Sequence, residues 1–339
     1  MQQTLLVTAD DRTGALEIGG ALARKGNPML VCTEIGKVTQ SVIDISSRHL
    51  SPEEAFEKMH LAHDRDVEIR MHKMDSGLRG NWPYEVHALL DLGFEIAVIP
   101  SFPDAGRRCE QGVVYIDDVP LLQSPFGADP LTAPCSSRPI EVLEEAGCAL
   151  PGIEIWDANT NDELAHQVLR CRREQRILVG PTGAIDMYAR TLLKSDRNDD
   201  LMLRKPILIV CGSLNSVSRE QLNHFEFTKI SPAGPFREFG SVGVLTTPAP
   251  ILPITLHDAR EMALRIAEAV EKLQRFASTL LVIGGDTVAA VLGSRQVSVL
   301  GTIGPGIPVA RIGRKLVVTK GGGIGHRATL VNIVQNAQE

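Results

Sequence analysis

Aromatic side chains are scarce in this sequence: nine Phe, three Tyr and two Trp make up 4% of 339 residues. That leaves few platforms on which bases or sugar rings stack. Basic residues are outnumbered, 35 Lys and Arg against 41 Asp and Glu, for a formal charge of −6 and a pI near 5.9. A nucleic-acid binder needs a basic face to displace counterions, so that class is excluded. No apolar run approaches the ~20 residues that span a bilayer. The opening MQQTLLVTADD also lacks the basic-then-apolar layout of a signal peptide. These absences predict a cytoplasmic protein without a membrane partner. Cysteine is thin and scattered, six residues with no Cys-x-x-Cys. A chain this long buries a core without disulfides, which predicts reduced, mostly buried thiols. His60 and His63, on a predicted helix with Glu53, Glu54 and Glu57, read as a solvated helix face rather than a zinc site.

What is present is 43% hydrophobic and 22% charged, an ordinary globular balance, over a length that suits two domains. Short apolar strands alternate with amphipathic helices in both halves. The pattern predicts an α/β protein of two domains, each a mostly parallel sheet flanked by helices. The helix after the first strand is expected to close on Gly26 as its C-cap. Ser51-Pro52-Glu53-Glu54 opens another, with a cap, Pro in the first turn and acids at the positive dipole end. Residues 101–139 break the rhythm as a Pro-rich excursion, with VVYIDDVPL as its hairpin. The polar stretch 195–206 reads as a linker, placing the domains at 1–205 and 206–339. Residues 231–253 read as a hinge or edge strands. Residues 257–276 are the clearest helix, with Ala259, Met262, Ala263, Ile266, Ala267, Val270, Leu273 and Phe276 on one apolar stripe.

Four places set glycine, hydroxyl and charge at the carboxyl end of an apolar strand, where open α/β sheets bind ligands. The first is Asp10-Asp11-Arg12-Thr13-Gly14. Adjacent acids there hold a metal, accept from sugar hydroxyls or serve as a base, and equally cap the next helix. The second runs from His72 and Lys73 through Asp75, Ser76 and Arg79 to Asn81. It concentrates donors and positive charge suited to a carboxylate, and Asp44 to Arg48 ends another strand with similar polarity. The third and fourth are Gly284-Gly285-Asp286-Thr287 and Lys320 to Gly325, joined by Gly212-Ser213. Glycines at a strand-to-helix turn let backbone N–H groups reach a phosphate. Neither fits the P-loop or dinucleotide fingerprint, so a nicotinamide dehydrogenase is disfavoured. The residues thus predict an anionic, hydroxylated small molecule in the first half and a phosphate ligand in the second.

The strings VTADDRTGA, HKMDSGLRGN, PSFPDAGR, GSLNSVSREQL, GGDTVAAVL and KGGGIG, in order from residue 5 to residue 325, resemble the four-carbon acid sugar kinase family. The resemblance implies an N-terminal sugar-acid domain, a C-terminal ATP domain and an active site in the cleft between them. It implies phosphorylation of the terminal hydroxyl of threonate, erythronate or a 3-oxo-tetronate, with Mg²⁺. Carried over by motif, Asp10, Asp11, Arg48, Lys73, Asp75, Ser76, Arg79 and Gly80 surround the sugar acid. Ser213, Gly284, Gly285, Asp286, Thr287, Lys320 and Gly322 hold the nucleotide. Asp286 and Asp11 are rival bases. Four departures stand out: Arg12 for the usual Leu, Gly77 for Thr, Ser101 for Ala, and Asn215 with Ser218 in the third-strand loop. The chain also reads as shorter than typical members, around 223–240. The alternative is a non-catalytic relative that binds a sugar acid or nucleotide as a sensor. A homodimer is the default assembly.

Overall fold

A computed structural model describes residues 4–34, 40–127, 133–193, 196, 198, 201–224, 227–247 and 255–339. The chain divides into two compact units, Met1–Leu22 with Met29–Ser195, and Ala23–Pro28 with Asp196–Glu339. Of the 195–206 linker, residues 195, 197, 199 and 200 lie outside the described residues, as do 248–253 of the second Pro- and Gly-rich stretch.

The first unit contains β1 (Leu5–Ala9), β2 (Met29–Cys32), β3 (Gln40–Asp44), β4 (Ile69–Lys73), β5 (Ile96–Val98), β6 (Arg107–Glu110), β7 (Val113–Ile116), β8 (Val119–Pro120), β9 (Ile153–Ile155) and β10 (Ile177–Gly180). Its helices are α1 (Arg12–Leu22), α2 (Pro52–His63), α3 (Trp82–Asp91), α4 (Pro139–Glu145), α5 (Asn161–Arg173) and α6 (Thr182–Leu192). Seven strands form a parallel run in the order β2-β3-β1-β4-β10-β5-β9. All five residues of β1 are buried, as a central strand covered on both faces requires. Leu6, Ile43, Ile96, Val98, Ile177 and Val179 share a core with Met59 and Ala62 of α2 and Val86 and Leu89 of α3. Helices α1, α5 and α6 pack on one another.

The excursion at 101–139 holds the expected hairpin. Strands β7 and β8 pair across Asp117 and Asp118, whose φ values of 49° and 67° are those of a two-residue turn matched to strand twist. Strand β6, which the sequence reading did not separate from its surroundings, joins them as a third antiparallel strand. The cap on Gly26 is corrected. Helix α1 stops at Leu22, and Gly26 (φ 76°) instead turns a tight hairpin in which Arg24 and Asn27 exchange backbone hydrogen bonds of 3.0 and 2.8 Å.

The second unit contains β11 (Ile207–Cys211), α7 (Ser216–Leu222), β12 (Thr228–Ile230), β13 (Val242–Thr246), α8 (Leu256–Leu273), β14 (Thr279–Ile283), α9 (Gly285–Leu292), β15 (Val297–Thr302), β16 (Pro308–Ile312), β17 (Lys315–Lys320) and α10 (Thr329–Gln335). Strands β12-β13-β11-β14-β17 are parallel, and β16 and β15 continue antiparallel. The expected edge strand in 231–253 is therefore an interior one: β13 lies between β12 and β11, with its three central residues buried. Of the predicted stripe, Ala263, Ile266, Val270 and Leu273 of α8 are buried and Ala259, Met262 and Ala267 half-buried, while Phe276, also half-buried, lies in the 3₁₀ turn that follows the helix.

None of the six cysteines is disulfide-bonded, and five are buried. No helix among the described residues is long and apolar enough to cross a membrane. Helix α2 begins with a reciprocal capping box: Ser51 Oγ accepts from Glu54 N at 3.2 Å, and Glu54 Oε2 accepts from Ser51 N at 3.0 Å. Ser51→Ala is expected to cost about 1 kcal/mol, read as a lower urea midpoint with an unchanged slope. An unaltered midpoint would show that Pro52 and the packing of α2 suffice.

Candidate functional site

In the first unit, register brings the site together. Ala9 at the end of β1 is level with Asp44 of β3 and Lys73 of β4. The loops that follow are tied to one another by backbone bonds, with Ser47 N and Arg48 N both donating to Asp10 O at 3.0 and 3.2 Å. Arg48 thereby enters a nest of acids. Its Nε and Nη2 meet Asp10 Oδ2 at 2.8 and 2.7 Å, its Nη1 meets Asp11 Oδ2 at 2.8 Å, and Nη2 lies 3.4 Å from Asp75 Oδ1. Lys73 Nζ lies 3.2 Å from Asp10 and 3.5 Å from Asp11. Arg79 grips Asp75 bidentately, Nε to Oδ2 at 2.8 Å and Nη2 to Oδ1 at 2.9 Å. Gly80 (φ 83°) is required where it stands, since a Cβ there would lie 3.0 Å from Arg48 Cγ. Ser76 sits in the same turn, half-buried.

The two readings of Asp11, charged ligand and helix cap, hold together. One oxygen takes Arg48 while the other accepts Gly14 N at 2.8 Å in the first turn of α1. Its environment divides it from its neighbour. Burial raises the Asp10 carboxyl, and Arg48 and Lys73 do not fully offset that. For Asp11 the burial penalty is overcome by Arg48, Lys73 and the Gly14 amide, so its pKa is lowered. Asp75 is also buried, yet Arg79 and Arg48 drive it far below the carboxylate range. Burial disfavours the Lys73 ammonium, but Asp10 and Asp11 more than restore it.

Glu17 and Glu85 carry no sequence signal that singles them out, and Arg107 and His72 stand within the quoted motifs without an assigned role. Glu17 of α1 accepts from Thr182 Oγ1 at 2.8 Å, and burial pushes its carboxyl up despite Lys73. Arg107, from PSFPDAGR, is 8% exposed and interacts with Asp117, Glu17 and Asp75, though burial lowers it. Beneath the cluster runs a buried relay. Glu85 accepts from Ser47 Oγ with one oxygen, and its other lies 2.8 Å from His72 Nε2. His72 Nδ1 is 2.9 Å from Thr8 Oγ1, which is 3.0 Å from His63 Nε2. The solvated-face expectation for His60 and His63 thus fails at His63, which is 1% exposed because α2 turns it onto β1. Burial, with the nearby His72, holds His63 well below the usual imidazole range. Ser47 and His72 immediately precede Arg48 and Lys73, so one carboxylate steadies both cations.

Burial lowers the Arg12 guanidinium, whose charge acts on Asp44 and Cys32. Burial and the Asp11 charge push Asp44 up to about 6, although Ser46 donates its N–H at 2.8 Å and its hydroxyl at 3.0 Å to Oδ1.

In the second unit, β11, β14 and β17 are adjacent, with Cys211, Ile283 and Lys320 level at their ends. The loops beyond them converge. A Cβ on Gly322 would run into Ser213 Oγ and lie 3.1 Å from Asn215 Cβ, while Gly284 (φ 104°) caps α9 against the backbone of Ser213. Gly285, Asp286 and Thr287 form the first turn of α9, with Asp286 exposed and Thr287 buried. Lys320 is wholly buried and points inward. Its Nζ donates to Ser218 Oγ at 2.9 Å, Gly321 O at 3.1 Å and Ile324 O at 2.9 Å, and burial lowers it to about 8. Ser218 donates in turn to Gly322 O, and Gln221 Nε2 to Ile324 O and His326 O at 3.2 and 3.0 Å. The glycine loop is thus held by the carbonyls of Gly321, Gly322 and Ile324, and closed by Ile324 N donating to Gly321 O at 3.1 Å. Among the described residues no cluster of three or more His, Cys, Asp or Glu could hold a metal.

A family model of a sugar-binding N-terminal domain matches residues 5–186, more than half of the chain. The chain belongs to that family, the four-carbon acid sugar kinases. A D-threonate kinase of Salmonella typhimurium is 27% identical over 260 residues, covering 65% of this chain and 60% of the relative. A D-threonate kinase of Bordetella bronchiseptica is 25% identical over 98% of this chain and 97% of its own length. A D-erythronate kinase of Heliobacterium modesticaldum is 27% identical, with 60% of its length covered. The matched part of the chain thus spans about 60% of the first and last of these relatives. The Bordetella alignment runs over 408 positions against a chain of 339, so that relative carries residues this one lacks. Among solved structures, a Salmonella typhimurium LT2 protein superimposes with a TM-score of 0.74 at 17% identity, covering 96% of this chain and 98% of its own. Haemophilus influenzae protein HI1011 does so at 0.68 and 16%, covering 97% and 99%. These two likenesses establish the fold of this sugar kinase family member.

Removing the carboxylate that steadies both cations should be costly. Glu85→Ala leaves His72 and Ser47 buried without their partner and is expected to lose at least about 3 kcal/mol, with Glu85→Gln losing less. Equal urea midpoints for Glu85→Ala and wild type would remove the relay from the account. Asp44 predicts a pH effect. The folded state holds its proton up to about pH 6 against an ordinary 3.8, so its share of stability is full below pH 4 and falls as pH rises through 6. The loss amounts to about 3 kcal/mol. Asp44→Asn should flatten the difference between unfolding free energies at pH 4.5 and pH 7; parallel profiles would count against it.

Proposed function

We propose that this chain is an ATP-dependent kinase that phosphorylates the terminal hydroxyl of a four-carbon sugar acid, of the threonate, erythronate or 3-oxo-tetronate kind. The observation that carries the reading is the Arg48-centred cluster, built from the ends of three parallel strands inside the segment matching a sugar-binding domain. Three acids there face three paired cations, of which Arg79 is the most exposed, at 21%. A carboxylate ligand therefore has a guanidinium within reach, while Asp10 and Asp11 offer acceptors to its hydroxyls. In this reading Lys73 and Arg79 hold the carboxylate end. The kinase names of the relatives, at 25% and 27% identity, support the same class.

The second unit suits the other substrate. A loop whose Gly322 tolerates no Cβ, a glycine cap at α9 and the α9 N-terminus are the features a triphosphate needs. Ser213, Gly284, Gly285, Thr287 and Gly322 would line it, and Lys320 would brace the loop from within. Bound Mg-ATP supplies the phosphoryl group and the metal charge that neutralises it. Mg²⁺ is commonly held by phosphates and one or two carboxylates, and Asp286 is the carboxylate at hand. Asp286 is also the better base of the two aspartates: it is exposed, whereas Asp11 already binds Arg48, Lys73 and the Gly14 amide.

The test is ADP release from Mg-ATP across a panel of four-carbon sugar acids against a no-acid control. Release with one or two acids is expected, and Asp286→Asn should lower kcat by about 10²–10⁴-fold. If nucleotide binds and no acid is phosphorylated, the kinase reading gives way to a sensor.

A further inference from the structure

The sugar-acid cluster is walled on one side by a residue that belongs to none of its charged motifs. Phe126 lies at the end of the Pro-rich excursion, in a turn closed by its own loop. Ser124 Oγ accepts from Phe126 N at 3.2 Å and donates to Leu121 O at 2.7 Å, and Gly127 N donates to Ser124 O at 3.0 Å. The ring packs, partly buried, against the core of the first unit, with its centroid 5.0 Å from Arg79 Cζ and 5.8 Å from Arg107 Cζ. It also occupies the space above Gly77. A Cβ on Gly77 would run into Cδ1 of Phe126 and lie 2.9 Å from both Cγ and the Asp75 carboxylate. Gly77 and Phe126 are therefore one feature, since a side chain at 77 requires the ring to move.

We propose that Phe126, admitted by Gly77, sets substrate choice, selecting an acid that turns a C–H face, not a hydroxyl, toward that wall. The inference rests on the sugar-acid reading above and narrows it to acids lacking a hydroxyl at one inner carbon. The physical basis is the asymmetry of polar and apolar recognition. A site that hydrogen-bonds a hydroxyl rejects the analogue lacking it by 10⁴–10⁵-fold, whereas an apolar wall rejects an added hydroxyl only by about 10²-fold. A hydroxyl pressed on the ring loses water without gaining a partner, while a C–H loses nothing. Arg79 is bidentate to Asp75 with its Cζ 5.0 Å from the ring centroid, so the ring also limits the directions from which a carboxylate can approach it.

The experiment compares threonate and erythronate with 2,4-dihydroxybutanoate and 3,4-dihydroxybutanoate, each lacking one inner hydroxyl. Binding is measured by calorimetry and kcat/KM by ADP release. In the wild type, one of the deoxy acids is expected to match or exceed the fully hydroxylated acids. Phe126→Ala should lower the deoxy-to-hydroxy ratio about tenfold, and Gly77→Thr combined with Phe126→Ala should lower it further. Phe126→Leu keeps apolar bulk if the smaller side chain unfolds the loop, and should shift the ratio by less. Rejection of both deoxy acids by 10⁴-fold in the wild type, or a ratio unchanged in Phe126→Leu and Phe126→Ala, overturns the wall while leaving the kinase standing. Failure of every acid to bind the wild type overturns both.

Discussion

Arg48 spends its guanidinium on three carboxylates at once, Asp10, Asp11 and Asp75, and the loops after β1, β3 and β4 take their form around it. Such a cluster is a poor way to stabilise a fold. Desolvating ions commonly costs as much as their pairing returns, and an apolar replacement of equal volume is often no worse. Its position explains it better. The ends of parallel strands are where α/β sheets bind ligands, and the neighbouring acids have been driven apart in proton affinity, Asp10 up and Asp75 far down. Strong perturbation beside a specific charge partner clusters at working sites, though structural ion-pair networks show it too, so it is the position at the strand ends that carries the proposed function.

The same cluster says which of its members can respond to a ligand. Asp10 and Asp75 are nearly sealed, at 2% and 7% side-chain exposure, whereas Asp11 keeps 20% and Arg79 keeps 21%. In the proposed function an incoming carboxylate therefore meets Arg79 first, and Asp11 is the more accessible of the acids beside it. The inner pairings need not break for it to bind. Glu85 matters here because Arg48 and Lys73 each follow directly on a residue it holds. Two long side chains that would otherwise lose rotamer freedom on binding are already ordered.

Much of this was legible before any coordinates. The alternation of strands and helices, the capping box at Ser51, the Asp117–Asp118 hairpin and the α8 stripe are local patterns, and each corresponds to an element. The residues quoted around Arg48 and in the glycine loops are neighbours in space because their strands are neighbours in register. What stayed hidden is what only tertiary packing decides. Nothing near Glu85 or His63 distinguishes a buried relay from a solvated helix face, because helix periodicity does not say which strand a face meets. Gly26 was misread because a left-handed glycine serves a hairpin as readily as a helix end. β15 alternates buried and half-buried residues up to a Gly-Pro-Gly turn that leads into β16, a local strand signal in the sequence.

Lys320 shows the limit most clearly. A lysine followed by three glycines invites assignment to a phosphate, yet its ammonium is buried on Ser218 and two loop carbonyls. Turned inward, it acts on the backbone: carbonyls drawn to a buried cation leave the amides of the same peptides facing the other way. A phosphate needs those amides, already aligned, more than it needs one further mobile charge. The lowered affinity of Lys320 for its proton follows from that burial. The loop gains from the ion as a brace what it gives up in not having it as a ligand.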